Sequence, residues 1–295
     1  MDISKTEIWI KNNARPIDVA KWQHIFNDDP KEDIVTQLLF YQNADGGFGN
    51  GLEADIIMPQ SNAITSAGVI SLAYEYKLDC TQSWFSRLLD YFENSMKPSP
   101  IFWEPVPPEI ENYARPPWWN YQLPTKFSPN PSATIASSLI AYGTDNQQEI
   151  GGTVMRKCFH LLLSDEKLDE HECYCLIDLI EKLLSIDSPL ITDNVVSAMR
   201  RRITENVCHD KSGWDEYNAQ PMDFARHPSS IWYSCVSDSI QANIKYWLDN
   251  INADGVWMPN FSWGEGSPEA RQATKDWMGF IAVNRAKILK NYGVI

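Results

Sequence analysis

Four acids stand in loop-like stretches beside residues that crowd or stiffen them. Glu53 and Asp55 lie in "EADIIMPQ", beside the glycine-rich "GGFGNG"; Glu216 and Asp223 lie in "WDEYNAQPMDFARHP", together with Arg226 and His227. A carboxyl held against apolar aromatic surface loses solvation of its charged form, so its pKa rises and it becomes a proton donor near neutral pH. Aromatic side chains stand in the same loops: Trp103 beside Glu104, then Trp118, Trp119 and Tyr121 in "RPPWWNY", which begins at Arg115, then Tyr217, and Trp263 just before Glu265. The faces of such rings attract positive charge. Asp55 is the preferred acid and Glu53 its partner, because the glycines beside them let backbone approach a ligand closely. Glu216 and Asp223 form the rival pair, with His227 as a proton shuttle. Trp103, Glu104, Arg115, Trp118, Trp119, Tyr121, Tyr217, Arg226, His227, Trp263 and Glu265 are expected to contact substrate. Two carboxylates beside an aromatic platform also suit a glycosidase, whose transition state resembles an oxocarbenium ion.

These loops punctuate a procession of helices. No segment alternates over the length of a strand, and helical periodicity is read near 16–27, 31–43, 61–78, 81–96, 131–143, 147–164, 168–185, 190–207, 229–250 and 268–291. Three starts carry their own chemistry. "DPKE" offers Asp29 as N-cap with Pro30 in the first helical position; "NPSA" does the same with Asn130 and Pro131, and "SPEA" with Ser267 and Pro268. Aromatic anchors at Phe48, Trp103, Trp214 and Trp257 are spaced 55, 111 and 43 residues apart, a repeat of helical hairpins. The turn "NADGGFG" at 43–49 returns as "NADGVWM" at 252–258. Several following helices carry a face of small residues, as close helix packing in an inner ring requires.

A net charge of −14 excludes a large phosphate-binding surface, so no nucleic-acid partner is expected. The one basic cluster, Arg200-Arg201-Arg202, is read as complementing the dipole at the end of its own helix. No segment is a signal peptide or an apolar run of ~18 residues, which points to a cytoplasmic protein. Six cysteines without Cys-x-x-Cys spacing are read as reduced thiols, mostly buried.

"QNADGGFG" at 42–49 resembles the end of the QW repeat of squalene-hopene and other terpenoid cyclases, with Phe48 in the tryptophan position. "NADGVW" repeats it with Asn252 for the glutamine, and "DKSGWDEY" is a looser copy. Protein prenyltransferase β-subunits share the α/α-toroid architecture of those cyclases. The resemblance implies that fold and an isoprenoid substrate. The cyclases' Asp-x-Asp-Asp acid motif is missing from the corresponding helix starts "PQSNAITS", "NPSATIAS" and "HPSSIWYS". The prenyltransferase zinc set has no counterpart either, Cys208-His209-Asp210 being the nearest cluster.

The sequence is therefore read as an all-α, single-domain α/α toroid of five to six hairpins spanning 1–295. The expected function is metal-independent and cofactor-free acid–base chemistry on a hydrophobic, isoprenoid-like molecule. A carbohydrate-active α/α barrel and a non-catalytic ligand- or protein-binding toroid are the alternatives.

Overall fold

The computed structural model describes residues 3–98, 101–264 and 266–295. Glu265 lies outside them. The chain is all-α, with twelve α-helices among the described residues and one antiparallel ladder of two-residue strands, Lys97–Pro98 against Ile101–Phe102. No helix of the described residues is long and apolar enough to cross a membrane. Two compact units emerge, Met1–Phe40 with Ile203–Ile295, and Tyr41–Arg202.

The second unit holds α4 (Ala63–Glu75), α5 (Ser83–Ser95), α6 (Pro129–Tyr142), α7 (Asp145–Leu163) and α8 (Glu170–Ser185). Every residue of α6 from Ser132 to Leu139 is buried, and α4, α5, α7 and α8 all pack on it. Its Ala133, Ala136, Ser137 and Ser138 are small enough to admit those neighbours, while the two serine hydroxyls donate back to Thr134 O (2.7 Å) and Ile135 O (2.8 Å). The caps at α7 and α8 are reciprocal. Thr144 with Gln147, and Asp169 with Glu172, each pair side chain and backbone amide in both directions, quieting amides that a helix start leaves unbonded.

The first unit holds α1 (Ser4–Asn13), α2 (Pro16–Asn27), α3 (Lys31–Leu38), the short α10 (Pro221–Phe224), α11 (Ser237–Asp249) and α12 (Pro268–Asn291). The helix α9 (Asp193–Asn206) carries the boundary between the units. α12 begins as read, with Ser267 Oγ accepting from Ala270 N at 3.1 Å. Two starts differ from the reading. Asp29 caps nothing: α3 starts after Pro30, and Asp28 takes the left-handed conformation that ends α2. At α6, Ser128 Oγ accepts from Asn130 N at 3.1 Å, although Asn130 keeps an extended backbone and the regular helix starts at Pro131 as read.

The repeated turns have one geometry. Asn43 N donates to Gly47 O (2.9 Å) and Gly46 N to Asn43 O (3.0 Å); Asn252 N donates to Val256 O (2.9 Å) and Gly255 N to Asn252 O (3.0 Å). Gly46 and Gly255 sit at φ 91° and 84°, where a side chain is strained. The aromatic that follows is buried each time, Phe48 fully and Trp257 to 1% exposure. Trp103, Trp214 and Trp257 each donate their indole N–H at 2.7 Å to a carbonyl upstream, on Phe92, Cys208 and Trp247. These anchors are staples inside each unit.

The basic cluster complements a different helix from the one expected. Arg202, almost fully buried, donates to Ser164 O (2.6 Å) and Leu161 O (3.4 Å), and Arg201 also reaches Ser164 O (3.3 Å). Those carbonyls end α7, so the charge meets that helix's negative pole. Arg202→Met keeps the aliphatic stem but removes the charged donor, and is expected to lower unfolding free energy by about 1.5–3 kcal/mol in urea denaturation.

Candidate functional site

Within the second unit, the two loops proposed to carry chemistry pack on each other. Ile56 and Met58 of "EADIIMPQ" join Val106 and Ile110 in one apolar cluster, and Tyr113, Trp119 and Tyr121 lie against it. Asp55 is buried and Glu53 half-buried beside this cluster. Three of the four glycines before them face the protein rather than open space. A Cβ at Gly46 would meet Arg87 O at 2.1 Å, one at Gly47 would meet Ser61 Cβ at 2.6 Å, and one at Gly49 would meet Gln60 O at 2.3 Å. These three press against the protein itself, whereas at Gly51, the glycine nearest Glu53, a Cβ would meet only Ile57 Cα at 4.0 Å.

The stiff "RPPWWNY" loop is tied down by its arginine. Arg115 donates to Ile110 O (3.2 Å), Tyr113 O (3.1 Å) and Asn120 Oδ1 (3.0 Å), and pairs with Glu111. Glu104 meets Lys97 Nζ at 3.5 Å and accepts from Tyr121 Oη at 3.5 Å. Trp103 is buried against Phe92, whereas Trp118 is 47% exposed. Of these residues Trp118 alone presents a broad ring to solvent.

Within the first unit, Glu216 and Tyr217 are exposed, and Arg226 and His227 are exposed beside α10. His227 Nδ1 is engaged locally, accepting from Ser229 N at 3.0 Å with Ser229 Oγ at 2.7 Å. Trp263 is buried. The long loops again pair: Asn260 Nδ2 donates to Glu216 O at 2.6 Å, and Tyr217 meets Phe261 edge-on at 5.6 Å. From Phe261 a half-buried row of rings continues through Trp277 (5.2 Å) to Phe280 (5.2 Å) on α12.

Asp223 is held by a backbone amide and a buried neighbour. It sits at the third position of α10, where Oδ2 accepts from Gln220 N at 2.7 Å. Gln220 is fixed in turn: its Oε1 accepts from Asn243 Nδ2 (2.9 Å) and Trp247 Nε1 (2.7 Å), and its Nε2 donates to Trp214 O (3.2 Å). The carboxyl is thus held by a buried amide network whose every member is bonded. Burial raises its pKa above the ordinary aspartate range, outweighing the Gln220 amide and the charges of Arg285 and Arg226 that lower it.

Arg285 on α12 was not foreseen. Its guanidinium stacks 4.8 Å from the Trp247 ring centroid and 5.7 Å from that of Trp257. It makes no ion pair among the described residues. Burial lowers its pKa to about 10 while Asp223 and Tyr246 pull it back up, so it stays charged at neutral pH. An arginine on a helix is usually solvated, and only Trp247 and Trp257, the latter an anchor of the repeated turn, reveal where this one goes. A second acid also escaped the reading: Asp276 on α12, whose pKa burial raises although Arg15 opposes it, accepts from Gln272 Nε2 at 2.9 Å.

Among the described residues no three His, Cys, Asp or Glu side chains gather to hold a metal ion. Cys208 and His209 are occupied otherwise: Cys208 N donates to Ala219 O (2.8 Å), and His209 Nδ1 lies 2.9 Å from Ser239 Oγ. None of the six cysteines is in a disulfide, and three of them are buried. No family model, curated protein or solved structure matches the chain.

Proposed function

We propose that the helices close into an α/α toroid and that the protein is a cytoplasmic enzyme in which Asp223 protonates a hydrophobic, isoprenoid-like substrate. The observation that carries this reading is the carboxyl of Asp223, with its pKa raised by burial, within the field of the Arg285 charge. Burial favours the protonated acid before transfer. Once the proton has left, Arg285 stabilises the carboxylate that remains, and the amide of Gln220 holds it in place without reorganisation. The half-buried rings of Phe261 and Trp277 offer faces that suit an apolar chain and a developing positive charge.

In the same reading Glu216 and Tyr217 lie at the solvent side of this surface, and Glu53 with Asp55 supports the packing of its own unit. Native mass spectrometry of the protein purified from cells is expected to show a copurified apolar molecule, reduced in Trp277→Ala. A bound oligosaccharide in its place would favour the carbohydrate-active alternative.

A further inference from the structure

In the second unit, away from every loop considered so far, a cavity of about 380 Å³ opens at the C-terminal ends of α4, α6 and α8. Lys182 of α8 is half-buried in its wall. Nζ donates to Tyr142 Oη at 2.6 Å and lies 4.4 Å from the Tyr142 ring centroid and 4.9 Å from that of Tyr74. The ammonium is held between two rings, and among the described residues it makes no ion pair with a carboxylate.

The other groups facing the cavity are Lys77, Cys80, Asp178 and Glu181. Asp178 is drawn toward hydroxyls, its Oδ2 accepting from Ser71 Oγ (2.5 Å) and Thr134 Oγ1 (3.0 Å). Tyr74 is hydrogen-bonded to Ser137 Oγ at 3.0 Å, which fixes one of the flanking rings. A surface lysine that only solubilised a helix would have no need of this enclosure. Desolvation without an anionic partner is one setting in which a lysine gives up its proton and becomes nucleophilic, here against the pull of the two ring faces on its charge.

We propose that Lys182 is a nucleophilic amine that forms an imine with a small aldehyde or ketone bound in this cavity. The Nζ lone pair attacks the carbonyl carbon and the carbon–oxygen π bond opens. The oxygen then leaves as water, taking the two protons that the amine gives up, relayed through the Tyr142 hydroxyl, and a carbon–nitrogen double bond remains. No oxidant or reductant enters the step. Burial lowers the pKa of Lys182, opposed by Cys80, which enlarges the fraction of free amine. Burial, with Cys80 adding to it, raises Tyr142 to about 12, so its phenol keeps a proton to relay.

The test is labelling of the full-length protein with benzaldehyde and sodium cyanoborohydride at neutral pH, read by peptide mass mapping. Lys182 should be alkylated roughly tenfold faster than Lys77, because its amine is held in place between the Tyr74 and Tyr142 rings with a phenol beside it to relay protons. The fast site should vanish in Lys182→Arg and slow in Tyr142→Phe. Labelling of wild-type Lys182 no faster than Lys77 overturns the proposal, and this comparison needs no variant to fold. An unchanged Lys182 rate in Tyr142→Phe overturns the relay assigned to that hydroxyl.

Discussion

Replacing Asp18 with alanine should lower the unfolding free energy by about 3–5 kcal/mol, the cost of breaking a buried ion pair by removing one partner. Asp18 on α2 has no exposed surface and Lys21 is 2% exposed. The carboxylate takes Arg15 Nε at 2.8 Å on one oxygen and Lys21 Nζ at 3.2 Å on the other. Lys21 also lies 4.7 Å from the Phe280 ring centroid, so the pair fastens α2 to α12. Without Asp18, a buried ammonium loses its only ion-pair partner among the described residues. The double variant Asp18→Ala, Lys21→Met removes both charges and should recover much of the loss.

The same pair sets a pH dependence. Burial alone would raise the Asp18 pKa, but Arg15 and Lys21 together outweigh it and the net shift is downward. A carboxyl lowered on folding stabilises the native state above its unfolded pKa of about 3.9, and that stabilisation fades as pH falls through the lower folded value. Wild-type stability should therefore drop faster than that of Asp18→Ala as the solution is acidified below about pH 4. Parallel acid denaturation curves for the two proteins would remove the pair from the account.

Much of the scaffold was legible because local chemistry decides it. Ser267 followed by Pro268 fixes where α12 begins, and the paired Asn-Ala-Asp-Gly turns recur with matching hydrogen bonds because both sequences supply a left-handed glycine at the same place. α1 was missed because "SKTEIWIKNN" buries only Thr6 and Ile10, leaving too few apolar residues to show a period. α11 was begun eight residues early, since 229–236 is apolar enough to read as helix yet folds into turns and a 3-10 segment at Tyr233–Cys235.

The site was less legible for a different reason. Asp223 stood out as an acid in an aromatic loop, but so did Asp55 and Glu216; Asp55 is buried as well, and Asp223 is marked by its bond to Gln220 and the nearby charge of Arg285. Arg285 stands in a long helix 62 residues further on, and no spacing rule relates it to Trp247 and Trp257. Arg202 carries the same lesson, since its carbonyl partners are at 161 and 164. Long-range partners of charged side chains are properties of packing, which a periodicity cannot encode.

Asp223→Asn is the second large effect. The amide keeps an oxygen to accept from Gln220 N, so α10 stays capped, but the proton is gone. The raised pKa of Asp223 means that its ionised form costs native stability as pH rises above the unfolded value, and this cost is absent in the variant. The variant should therefore be at least as stable as wild type at neutral pH, while losing about 10²–10⁴-fold in turnover, the range general acids contribute. A variant both stable and inactive would place the defect in chemistry rather than folding.

The central claim is best tested by turnover itself: wild-type and Asp223→Asn protein incubated with linear polyprenyl substrates, with products read by gas chromatography and mass spectrometry. Wild type is expected to give cyclised or isomerised product, and a folded Asp223→Asn protein to lose at least about 10²-fold. Equal rates in the two proteins would contradict it.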